Sequence, residues 1–111
     1  MIDSEKLSEL RDMGDGKDDF LLEMLDKYIA RAGEQITEAT GLLGEGDAAK
    51  LQKVIHSLKG STLSLGLSEA AKNIVDFDKE LKAGDLSRAA ERIDKIGADL
   101  ARVQDYRKTF S

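Results

Sequence analysis

No proline interrupts the 111 residues of this chain, and that absence most narrows what it can fold into. Proline is the strongest breaker of helices, and without it the helical spacing of apolar residues runs almost unopposed. No segment alternates apolar and polar residues as a strand would. A short first helix carries Leu7, Leu10 and Met13 and ends at Gly14-Asp15-Gly16. A long second stripe follows through Leu21, Met24, Leu25, Tyr28, Ile29, Ala32, Ile36, Ala39 and Leu43. Gly33 lies inside that stripe and weakens its continuity, and the segment from Gly41 to Gly46 closes it. Asp47 is placed to cap a third helix, because its carboxylate can accept from free backbone N–H groups. That helix carries Leu51, Val54, Ile55, Leu58, Thr62 and Leu65 and breaks at Gly66. Ser68 is the expected cap of a fourth helix with Ala70, Ile74, Phe77 and Leu81 inward, and Gly84 suits its left-handed end. A fifth helix carries Leu86, Ala89, Ile93, Ile96, Leu100 and Val103.

Four long amphipathic helices joined by short loops predict an all-α fold, an antiparallel four-helix bundle. The short N-terminal helix is expected to cover one end. The length suits one domain over residues 1–111, and the glycine clusters are too short to separate two.

The composition excludes several function classes. There are no cysteines, so a disulfide framework and thiol catalysis are ruled out and a structural zinc site is disfavoured. Seventeen basic and 22 acidic residues leave a net charge of −5, the wrong sign for nucleic acid or an anionic membrane. No apolar run reaches membrane-spanning length. The start Met1-Ile2-Asp3-Ser4-Glu5 has no signal-peptide pattern. A soluble cytoplasmic protein is expected, and the initiating Met1 favours a complete chain over an excised fragment.

His56 is the only histidine. At about 100° per residue, the buried sector of the third helix takes Leu51, Val54, Ile55, Leu58, Thr62 and Leu65. His56 points far from its centre. Its helical neighbours are Gln52 and Lys53 a turn before, and Lys59, Gly60 and Leu63 after. Spacing thus rules out a core histidine and leaves an idle surface residue or a functional one. Gly60 removes a side chain beside the imidazole, at about 1 kcal/mol of helix propensity, and opens it to a partner; otherwise it is a tolerated defect or kink. Lys53 and Lys59 are cations that would stabilise a phosphoryl group, although lysines on a helix face commonly serve only solvation. A metal site would want carboxylates or further histidines, which this helix lacks. Neutral imidazole, with an ordinary pKa near ~6.5, offers a nucleophilic nitrogen at cytoplasmic pH.

The stretch Ile55-His56-Ser57-Leu58-Lys59-Gly60-Ser61-Thr62, followed by Leu65-Gly66, resembles the signature of histidine-containing phosphotransfer (HPt) domains of two-component phosphorelays. The matching positions are His56, Lys59, Gly60, Ser61 and Gly66, and the helix order agrees over most of the chain. The resemblance implies that His56 accepts the phosphoryl group through Nε2, that Lys59 helps to hold it, and that Gly60 leaves room for a receiver domain. Family members often carry an acidic residue, more usually glutamate, on the following helix. Asp78 falls there, at the edge of the core stripe, where it would orient the imidazole by accepting from Nδ1. Read from the residues alone, it is a boundary carboxylate. Gln52, Lys53, Gly60, Leu63 and Leu67 would form the docking surface. The partners implied are response-regulator receiver domains, a hybrid histidine kinase, or both, with the chain a monomer. The chain would be a phosphocarrier rather than an enzyme, with no cofactor or metal of its own; Mg²⁺ belongs to the receiver.

Two other readings compete. A phosphotransfer-like bundle could dock a receiver or kinase without carrying phosphate, using Leu63 and Leu67 as an apolar patch; the presence of both His56 and Lys59 weighs against it. A purely structural bundle could oligomerise through a leftover apolar stripe. An autonomous enzyme fits least, because Asp76, Asp78 and Glu80 face different sides of one helix and there is no glycine-rich phosphate loop.

Overall fold

The computed structural model describes residues 1–110 as five helices. They are α1 (Ser4–Met13), α2 (Asp19–Gly44), α3 (Ala48–Ser64), α4 (Ser68–Lys82) and α5 (Ala89–Lys108). Around the bundle, α2 packs on α3 and α5, and α4 packs on the same two helices from the other side. α1 lies against α2. Gly33 does not interrupt α2, which runs unbroken across it. No helix among the described residues is long and apolar enough to cross a membrane.

The turns follow from backbone chemistry. Asp47 caps α3, its carboxylate accepting from the Lys50 N–H at 3.0 Å. Gly66 closes the helix with φ +75°. Its N–H reaches the Leu63 carbonyl at 3.0 Å and the Leu67 N–H reaches the Thr62 carbonyl at 3.1 Å, the paired bonds that satisfy a helix C-terminus. A Cβ at Gly66 would lie 2.7 Å from Lys6 Cβ. The same glycine's carbonyl accepts from Asp3 N–H at 2.9 Å, which sews the N-terminal segment to the α3–α4 turn.

Three sequence expectations need correction. Leu67 is not a docking residue: it is 1% exposed and belongs to the core. The link from α3 to α4 is so short that Leu67 occupies the N-cap position itself, and the turn points it inward. Ser68 therefore does not cap α4; its hydroxyl donates to the Asp3 carboxylate instead. Leu86 precedes α5 rather than belonging to it, because Asp85 holds the Ser87 N–H at 2.9 Å in a side-chain turn that competes with the helix.

The core has two apolar clusters. One gathers Ile55, Leu58, Ile74, Phe77 and Ile96 with their neighbours; the other gathers Leu10, Leu21, Leu25, Leu65, Leu67 and Val103. Tyr28 packs against both. Its hydroxyl lies 2.9 Å from Thr62 Oγ1, and Thr62 donates to the Leu58 carbonyl at 2.7 Å. Buried polar groups require such partners, so this contact fixes the register of α2 against α3.

Candidate functional site

Ile55 and Leu58 are 1% exposed and anchor α3 in the core. That anchoring turns the intervening His56 outward, and its side chain is 58% exposed. Beside it, Gln35 of α2 donates to Ser57 Oγ at 3.2 Å, so the histidine stands on a helix held from both sides. Lys53 and Gly60 are exposed. A Cβ at Gly60 would meet nothing within 4 Å, which leaves open space one turn beyond the imidazole. Leu63, two turns along the same face, is 49% exposed. It shares a shallow groove between α3 and α4 with Ala71 and Val75. On another side of α3, Ser61, Ser64 and Leu65 line a mostly apolar groove with Leu10, Met13 and Met24. Sequence reading missed that groove, since it depends on how α1 lies across the bundle.

α4 supplies the counter-charge. Phe77 is fully buried, and next to it Asp78 points towards α3. Its carboxylate is 1% exposed, with Oδ2 3.5 Å from His56 Nδ1. Lys59 Nζ donates to the same oxygen at 2.8 Å, and Lys82 Nζ lies 3.0 Å from it. Gln52 donates to Oδ1 at 2.9 Å. Asp78 is therefore a buried anion rather than a boundary carboxylate. Burial pushes its carboxyl pKa up, but the donors Lys59, Gln52 and Lys82, with the nearby His56, outweigh that and hold it well below the ordinary carboxylate range. Lys59 is 22% exposed and engages Asp78, not the space above His56. Gln52, expected at a docking surface, is instead tied to the same carboxylate. Lys82 was missed entirely, although its spacing of four from Asp78 on one helix is a readable signal.

An ionised acceptor near Nδ1 favours the tautomer that keeps the proton on that nitrogen. The lone pair then resides on Nε2. At 3.5 Å the contact is longer than an ordinary N–H···O bond, and it would tighten on any cationic charge that develops in the ring.

An outward histidine over a buried carboxylate, on a bundle of four long helices, suits a protein that carries a phosphoryl group on imidazole. The family model of the Hpt domain matches residues 23–106, and the chain belongs to that family. Its activity is accordingly histidine phosphotransfer in two-component signalling, with kinases and response regulators as its partners. The structure is similar to the crystal structure of histidine-containing phosphotransfer protein B (HptB) from Pseudomonas aeruginosa PAO1, with a TM-score of 0.88. That match covers 97% of this chain and 91% of the other at 24% sequence identity, a likeness of fold. No curated protein matches the sequence.

Proposed function

We propose that His56 is the phosphoacceptor and that the chain relays phosphate between its Nε2 and the aspartate of a receiver domain. The observation that carries this reading is Asp78 Oδ2 at 3.5 Å from Nδ1 of a side chain that is 58% exposed. Nε2 attacks the phosphorus of the receiver's aspartyl phosphate. The N–P bond forms as the P–O bond breaks, and the receiver's carboxylate leaves with the electron pair. The Nδ1 proton stays in place, so the ring becomes cationic, and Asp78 offsets that charge. Lys59 stabilises the phosphoryl oxygens once they arrive. Lys53, Gly60 and Leu63 form the docking face, with Gly60 admitting the receiver's loop.

The chain acts as a carrier, a monomer folded as one domain over residues 1–111, and works in the cytoplasm. It needs no cofactor; the receiver brings its own Mg²⁺ and carboxylates. The test is label transfer from phosphorylated receiver domains of the source organism to wild type and His56→Gln. Acid-labile, alkali-stable label on wild type and none on the variant is expected. Label that persists on His56→Gln would overturn the assignment. No label on wild type from any receiver or kinase would leave a docking module that carries no phosphate.

A further inference from the structure

The cations around Asp78 outnumber what one carboxylate needs. Lys59 and Lys82 place their ammonium groups 2.8 and 3.0 Å from the same oxygen, and the imidazole approaches it at 3.5 Å. A single ammonium would compensate the charge, and two on one oxygen repel each other. The two lysines also differ in position. Lys59 comes from α3, one turn beyond His56, with a side chain 22% exposed. Lys82 comes from α4 itself, four residues after Asp78, and its side chain is 54% exposed.

When Nε2 accepts a phosphoryl group, as proposed above, a second anion appears on the same face. Of the two lysines on Asp78, Lys59 is the one close enough in the chain to His56 to turn towards it. If Lys59 were the sole ammonium on Asp78, its departure would strand a buried carboxylate, which strongly resists losing its partner. We propose that Lys82 is a positioning residue: it keeps Asp78 paired while Lys59 is released to the phosphoryl group. The excess cation makes Lys59 exchangeable. Lys82 itself need not touch phosphate.

The inference rests on His56 as acceptor, and the test separates the two. Rates of transfer from a phosphorylated receiver are measured for wild type, Lys82→Met, Lys82→Arg, Lys59→Met and the double Lys59→Met/Lys82→Met variant. Lys82→Met should be slower by about tenfold, equivalent to ~1.4 kcal/mol of barrier. Lys82→Arg should restore the rate. Compared per folded molecule, the double variant should be no slower than Lys59→Met, because Lys82 acts only through Lys59. In ¹³C-labelled protein the Lys59 Cε signal should move on phosphorylation in wild type and stay in Lys82→Met, a readout that does not depend on overall stability. Wild-type rates in Lys82→Met, failure of arginine to rescue, or penalties that multiply in the double variant would each overturn the role of Lys82. A wild-type protein that takes no label would overturn the His56 assignment, and this inference with it.

Discussion

Two carboxylates on α4, Asp78 and Glu80, are two residues apart and have opposite fates. Glu80 faces α5, where Arg92 grips it with two bonds, Nε to Oε1 at 3.0 Å and Nη2 to Oε2 at 2.6 Å. Arg92 also donates to Asn73 at 3.2 Å. One acid meets one base in a fixed fork, and both side chains are about one-fifth exposed. Asp78 faces α3, is buried, and gathers Lys59, Lys82, Gln52 and the edge of His56. The first arrangement is closed and has no reason to change. The second holds surplus cation under an open imidazole, so it can redistribute when charge arrives. The Glu80–Arg92 pair is a structural staple; on the proposal above, the oversupplied charge at Asp78 is what serves the chemistry.

The strongest way to break that contrast is to empty the Asp78 cluster of lysine. The double Lys59→Met/Lys82→Met variant leaves a buried carboxylate without an ammonium and should lose about 3–5 kcal/mol, read by urea denaturation at pH 7. A loss under about 1 kcal/mol, the range of surface pairs, would mean that Asp78 is effectively solvated.

Asp78→Asn comes next, at about 1–3 kcal/mol at neutral pH. Here the pH dependence carries the sign. The folded carboxyl titrates below its unfolded value, so its contribution is full above about pH 4 and fades as pH falls below that. The stability gap between wild type and Asp78→Asn should shrink as pH falls below about 4. A gap that widens in that range contradicts the assignment.

Glu80→Gln sharpens the comparison from the other side. It should cost about 1 kcal/mol, typical of a partly exposed pair, and leave the rate of phosphoryl acceptance unchanged. Any tenfold loss of rate would erase the distinction between the two clusters.

Gly60→Ala should have the smallest effect on the fold, a gain of up to ~1 kcal/mol in helix propensity, because the added Cβ meets nothing. It should leave acceptance from a small donor such as phosphoramidate intact and slow acceptance from a receiver domain. Equal slowing with both donors would show that Gly60 does not serve partner approach.

The bundle was largely legible in the sequence, because five stripes at helical spacing and the glycines at their ends needed only local rules. His56, Lys59 and Gly60 were legible for the same reason: they share one helix, and spacing alone relates them. Asp78 was placed by resemblance, but its depth of burial was not, since that depends on how α4 meets α3. Lys82 escaped for that reason too; only the packed pair of helices shows that it and Lys59 converge on one oxygen. Leu67 was misjudged because helical periodicity ends at the Gly66 turn and says nothing about which way the next side chain points. Ser68 failed as a cap because the turn left no room for one, and Asp3, distant in sequence, claimed its hydroxyl.

The most direct test of the central claim is to observe the N–P bond. Protein with ¹⁵N-labelled histidine, phosphorylated by a receiver domain, should show ³¹P coupling to Nε2 of His56 and a protonated Nδ1. Phosphorus bonded to Nδ1, or label on any other residue, would contradict it.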